Sequence, residues 1–181
     1  DFMQLDCWQR KKRLEGIDAL ITKEQDICIA VSTADCVPIL LYSTKCRIAA
    51  AVHAGWRGTL NNIAGKTVAA MTDKLGADPS KISAIIGPSI SQEAFEVGAE
   101  VYEQFENKAF DMHEIATHIN GKWHIDLWKA NAMQLEAPGI RHENIHKANI
   151  CTFSNCCDYF SARRLGINSG RIVSGIILRQ P

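Results

Sequence analysis

The sequence predicts a single domain of mixed strands and helices, α/β or α+β with a mixed β-sheet. Three observations carry this expectation. The chain has 181 residues and a mass of 20.0 kDa, within the range of about 50–250 residues typical of one domain. It has no internal repeat, low-complexity tract or long Gly/Ser/Pro linker. Short apolar, β-branched runs mix with helix-period stretches without a strict strand–helix–strand rhythm.

Taken in order, the basic cluster Arg10-Lys11-Lys12-Arg13, followed by Glu15, reads as a solvated loop or helix face. Strands are expected at Ile27–Thr33 and, after an interruption, at Val37–Tyr42. Arg47–His53 is almost continuously apolar, as in a strand covered on both faces. Lys81–Ile86 and Arg171–Leu178 have the same character. A helix is expected after Gly58, with Thr59 as N-cap and Leu60, Ile63, Thr67, Met71 and Leu75 at three- and four-residue spacing. Gly76 and Pro79 stop it. A second helix is expected from Glu93 to Phe105. A third follows Asp126, carrying Leu127, Asn131, Gln134 and Leu135 before Pro138-Gly139.

Composition narrows the function classes. Hydrophobic residues make up 46% and charged residues 22%, which argues against intrinsic disorder. Twenty basic residues balance twenty acidic ones and the pI is about 7.1, so neither nucleic acid nor an anionic membrane is an expected partner. No apolar run approaches the roughly 20 residues of a membrane helix. The seven cysteines are odd in number, include an adjacent pair and contain no CxxC. They read as mostly small buried residues in a reducing, cytoplasmic setting.

Two polar groups interrupt strongly apolar strands. Cys36, beside Asp35, breaks the run between ICIAVST and VPILLY, and His53 ends RIAAAVH where HAGWRGT turns into a helix. Thiolate and imidazole are good zinc ligands; equally, Cys36 is a nucleophile with His53 as its base, or both are ordinary core residues. Gly55, Gly58 and Arg57 before a helix N-terminus suit a small oxyanion such as phosphate, or form a routine helix start with an exposed Arg. Arg163 and Arg164, beside Tyr159 and Phe160, suit a phosphate and a stacked base, or simply face water. His113, His118, His124, His142 and His146 have no convincing metal spacing and read as surface residues.

DALIT (Asp18–Thr22), STADCVPILLY (Ser32–Tyr42), AAVHAGWRGT (Ala50–Thr59), IGPSI (Ile86–Ile90), FEVG (Phe95–Gly98), HIDLWKAN (His124–Asn131), CTF (Cys151–Phe153) and YFSARR with SGRIVSGIIL stand in one order. Together they resemble the YfiH-like family, also called the laccase-domain or polyphenol-oxidase family and reassigned as zinc-dependent purine nucleoside phosphorylases. The resemblance covers nearly all of the chain from Asp18 onward. It implies an α/β/β/α sandwich shared with a cytotoxic-necrotizing-factor-type toxin deamidase.

The resemblance also implies a catalytic metal, zinc with copper as the alternative, held by Cys36 and His53. The family's third ligand is a His in an upstream Q-(V/T)-H motif, and no histidine precedes His53 here. The expectation is therefore one YfiH-like domain over 1–181 that lacks its N-terminal portion. Ser89 stands where many relatives have Cys. The implied substrates are purine nucleosides and phosphate, giving base and ribose 1-phosphate, with adenosine deamination and methylthioadenosine phosphorolysis as side activities. Catalytic roles fall to Cys36, His53 and Arg57, and substrate binding to Asp35, Arg163 and Arg164. The alternatives are a Cys36/His53 thiol hydrolase, an editing enzyme for peptidoglycan precursors, and copper-dependent phenol oxidation. Six scattered histidines supply the last of these poorly.

Overall fold

The structure, a computed structural model, describes residues 4–108, 110–166 and 168–180. Helix α1 (Cys7–Leu14) carries the basic cluster on a largely exposed face and is closed by a reciprocal cap between Asp6 and Gln9. Strands β1 (Ala19–Thr22), β2 (Cys28–Thr33), β3 (Val37–Ser43) and β4 (Ile48–Ala54) follow. Then come helices α2 (Trp56–Leu60) and α3 (Ile63–Ala69), strand β5 (Ile82–Ile86), the short strand β6 (Glu96–Val97) and helices α4 (Ala99–Glu106) and α5 (Met112–Ile115). A hairpin of β7 (Ala116–Ile119) and β8 (Lys122–Ile125), helix α6 (Leu127–Glu136), strand β9 (Ile145–Lys147), helix α7 (Ala162–Leu165) and strand β10 (Ile172–Ile177) complete the order.

The main sheet has the order β1-β4-β3-β5-β9, antiparallel except for the β5–β9 pair. Alternation along its strands divides its two faces. Val37, Ile39, Leu41, Ile48, Ala50, Val52, Ala54, Ile82, Ala84 and Ile86 are buried and share one apolar core with Ala64, Val68, Ala130 and Leu135. That face carries α3 against β4 and α6 against β5. A two-stranded ribbon of β2 and β10 packs against β3 and β4, leaving a groove of about 410 Å³ between Leu40, Tyr42 and Ile85 of the sheet and Gly175–Leu178. A third sheet, β6-β8-β7, lies beside the core. The expected mixed α+β architecture is present.

The five predicted strands agree with β2, β3, β4, β5 and β10 to within a residue or two at each end. The helix expected after Thr59 begins four residues earlier, at Trp56. Gly55 is its N-cap, and Thr59 is buried inside α2, its hydroxyl accepting a hydrogen bond from Asn131 Nδ2 at 2.9 Å. The helix is also broken: Asn62 sits at φ +58° and caps α3 by accepting from Gly65 N–H. The stretch read as a helix from Glu93 is a single 3-10 turn and β6 before α4 begins at Ala99, because β6 pairs with β8. The third helix stands as expected, with the Asp126 carboxylate accepting from Lys129 N–H at 2.8 Å.

A candidate reactive centre across three strands

Register brings the candidate residues together. In the β3–β4 pair Val37 lies opposite Ala54 and Pro38 opposite His53. Continued by one residue, that register places Cys36 across from Gly55, on the same face as His53, since residues two apart in a strand share a face. In the β1–β4 pair Ala19 lies opposite Val52, so Asp18 falls opposite His53. Its carbonyl accepts from His53 N–H at 2.7 Å. Asp18, His53 and Cys36 therefore form a row across one end of the main sheet.

The side chains use that row. His53 Nδ1 lies 2.8 Å from Asp18 Oδ1, which fixes the ring and turns Nε2 the other way. A Cβ built on Gly55 would stand 3.1 Å from Cys36 Sγ and 3.7 Å from His53 Nε2. Sulfur and nitrogen thus converge beside the one backbone position that has no side chain. The Cys36 thiol, foremost, and Asp18 raise His53 to a pKa of about 9 against the opposing effect of its burial. A cleft of about 290 Å³ between Ile17–Leu20 and Ala30–Ser32 has Asp18 and His53 on its wall.

Asp35 holds the turn that presents Cys36. It lies at φ +76°, a left-handed conformation that Asp tolerates better than most residues. Its side chain is buried. Oδ1 accepts from Thr152 Oγ1 at 2.7 Å, and Oδ2 accepts from Ser161 Oγ at 3.0 Å and Arg163 N–H at 2.6 Å. Ile90 N–H donates to its carbonyl at 3.0 Å. Asp35 thus ties the β2–β3 turn to IGPSI through its backbone carbonyl and to the C-terminal loop through its carboxylate. Ser89 in IGPSI is fully buried, and its hydroxyl accepts from Trp128 Nε1 at 2.6 Å and donates to the Gly87 carbonyl.

The arginines sit on the rim. Arg57 is exposed, with its guanidinium stacked 4.1 Å from the centre of the Trp56 ring. Arg163 donates to the Glu96 carbonyl and lies 5.5 Å from the Phe95 ring; Arg164 donates to the Phe153 carbonyl and lies 4.9 Å from that ring. Among the described residues, none of these side chains makes a hydrogen bond or ion pair with Cys36 or His53.

Two sequence expectations are corrected. His124 is not a surface residue: it is buried on the middle strand of the third sheet, with Nδ1 3.1 Å from the Gln92 carbonyl. Among the six cysteines whose side chains are described, Cys151 alone is buried; Cys28 and Cys157 are exposed. Burial pushes the Cys151 thiol up, but hydrogen bonds from Ser91 and Ser154 outweigh it and hold the thiol below its ordinary range. Asp18 is the functional candidate that sequence reasoning did not assign. Its signal was its place at the head of DALIT, immediately before a strand. Among the described residues, no group of three or more His, Cys, Asp or Glu is assembled to hold a metal, and no helix is long and apolar enough to cross a membrane.

Residues 3–179 match the family described as multi-copper polyphenol oxidoreductase laccase. The chain is 48% identical over 181 residues to a purine nucleoside phosphorylase of Bacteroides thetaiotaomicron, covering 99% of this chain and 67% of the relative. It is 46% identical over 177 residues to adenosine deaminase RL5 of an unknown prokaryotic organism, covering 97% and 67%. Among solved structures, YlmD of Geobacillus stearothermophilus superposes with a TM-score of 0.85 at 30% identity, over 91% of this chain and 62% of that one. The YfiH protein of Bacillus licheniformis gives 0.82 at 30% identity, over 90% and 61%. The chain thus spans about two thirds of the length of these relatives. Shared motifs, matched profile and common fold agree: the chain belongs to the YfiH/YlmD-type family described as multi-copper polyphenol oxidoreductase laccase.

Proposed function

We propose that this chain carries the reactive centre of a purine nucleoside phosphorylase. The reaction joins adenosine, inosine or guanosine with phosphate to give the free base and ribose 1-phosphate. Adenosine deamination and methylthioadenosine phosphorolysis are side activities of the same centre. The observation that carries the reading is the Asp18–His53–Cys36 row, set in a chain closely similar to proteins named for the first two of these activities.

Zinc is the proposed metal, and copper, named in the family's description, is the alternative. The donor chemistry fits: a thiol sulfur and an imidazole nitrogen face one open position, and the carboxylate on Nδ1 is the usual partner of a ligating histidine. Catalytic zinc takes about three protein ligands, so Cys36 and His53 are proposed as two of them. When bound, the metal supplies a Lewis acid that polarises substrate or activates water.

The chain's own residues do the rest. Asp18 fixes the His53 tautomer and keeps Nε2 directed at the reacting end. Asp35 is proposed as a positioning residue, since its carboxylate is occupied by three donors and its backbone sets the Cys36 turn. Arg57, two residues beyond Gly55, offers a forked cation to phosphate. Arg163 and Arg164, each lying on an aromatic ring, border the loop where base and ribose are proposed to enter.

The test is hypoxanthine release from inosine. Release that requires phosphate, falls with a chelator and is lost in both Cys36→Ala and His53→Ala supports the assignment; full retention in both variants refutes it. A second reading has its own observation: thiol, imidazole and carboxylate in one row, with His53 raised to about 9, also describe a thiol hydrolase acting on an amide. That enzyme resists chelators and is abolished by thiol alkylation.

A further inference from the structure

The turn leading from Cys151 toward α7 carries the one adjacent pair of cysteines in the sequence, Cys156 and Cys157. The function proposed above uses neither. The Asn155 carbonyl accepts from Asp158 N–H at 3.1 Å and from Tyr159 N–H at 3.0 Å, so the pair occupies the two central positions of a hydrogen-bonded turn. Both are free thiols; Cys157 is exposed and Cys156 half-buried. The support beneath them is fixed. Asn155 donates from its backbone at 3.0 Å and from Nδ2 at 2.8 Å to the Cys151 carbonyl, and the flanking Thr152 and Ser161 both hold the Asp35 carboxylate. Two thiols on neighbouring residues are therefore carried by a short, anchored turn at the surface.

We propose that Cys156 and Cys157 form a reversible thiol–disulfide modification site that exchanges with low-molecular-weight disulfides. The Cys157 thiolate attacks one sulfur of the small disulfide, forming a mixed disulfide and expelling one small thiolate. The Cys156 thiolate then attacks Cys157 Sγ, closing the Cys156–Cys157 bond and expelling the second. The protein dithiol is oxidised by two electrons and the small disulfide is reduced to two thiols, which take up the two protons. The second step is intramolecular between neighbours, so it outruns accumulation of the mixed disulfide. Adjacent Cα atoms stand about 3.8 Å apart across a trans peptide, shorter than the span of about 4.4–6.8 Å that disulfides favour. The closed form is thus strained and readily reduced, the labile kind rather than a structural crosslink. Cys151, the nearest other thiol in sequence, is buried and already accepts from Ser91 N–H at 3.4 Å.

The experiment treats the folded protein with glutathione disulfide, quenches by alkylating under denaturing conditions, and locates each sulfur by intact mass and peptide fragmentation. The expected product has lost two hydrogens, carries its bond between Cys156 and Cys157, leaves Cys151 alkylated and reverts with dithiothreitol. Cys156→Ser should instead accumulate a stable glutathione adduct on Cys157. Three results overturn the proposal: a persistent adduct on Cys157 in the unmodified sequence, a bond that includes Cys151, or both thiols still alkylated under exposure that modifies Cys28. None of these readouts depends on the enzymatic activity proposed above.

Discussion

Asp35→Ala should cost more stability than any other change at the site that leaves the apolar core intact. The substitution removes the acceptor of Thr152 Oγ1 and Ser161 Oγ, both fully buried hydroxyls, and of Arg163 N–H. A buried donor left without a partner costs about 1–3 kcal/mol; counting the two hydroxyls alone gives about 2–6 kcal/mol. Alanine at φ +76° adds roughly 1 kcal/mol of backbone strain that Asp tolerates better. The sum, about 3–7 kcal/mol, is a large share of the roughly 5–15 kcal/mol that holds a domain folded. In urea, with a slope near 2 kcal/mol/M, the midpoint should fall by about 1.5–3.5 M. Asp35→Asn keeps the backbone preference and one acceptor oxygen, and should fall between Asp35→Ala and the unchanged protein. Asp35→Gly removes only the strain and should recover about 1 kcal/mol relative to Asp35→Ala. A loss below about 1 kcal/mol for Asp35→Ala would mean the carboxylate does not bind the loop, and the positioning role would fall with it.

Further predictions concern the row itself. Gly55→Ala places a methyl 3.1 Å from Cys36 Sγ at an unstrained backbone position. Stability by denaturant titration should stay within about 1 kcal/mol of the unchanged protein, while kcat/KM for inosine phosphorolysis should fall at least about tenfold from displaced reacting groups. Unchanged kcat/KM would show that the sulfur is not at the reacting position. In the metal-free protein, His53 should titrate near pH 9 by NMR. Cys36→Ser should bring that midpoint down further than Asp18→Asn, because the thiol is the larger cause; the reverse order would contradict the geometry. A raised histidine pKa stabilises the fold fully below about pH 6.5, and that contribution disappears as pH rises through about 9. The urea midpoint of metal-free protein should therefore decline across that interval more steeply than that of His53→Ala.

The sequence announced the candidate pair because polar atoms stand where strand patterning calls for apolar ones. Cys36 interrupted one apolar run and His53 ended another, and both anomalies proved to be neighbours. Their convergence was not legible, because register follows from which strands pair, and that is a long-range property. Asp18 escaped notice for the same reason: an aspartate before a strand is ordinary until pairing sets it opposite His53. The displaced start of α2 has a local cause. Gly55, not Thr59, supplies the cap, and Thr59 is drawn inward by Asn131 from a helix 72 positions away. His124 was misjudged because β8 lies in the middle of a sheet whose strands are two and four residues long, too short for a periodicity signal.

The most direct measurement of the central claim, that Cys36 and His53 act as one unit, is a double-mutant cycle on phosphate-dependent hypoxanthine release. The variants are Cys36→Ala, His53→Ala and the two combined. Groups sharing one reactive centre are strongly non-additive, so the combined variant should be no slower than the worse single one. Losses that multiply, or a single variant that keeps full activity, would contradict the account.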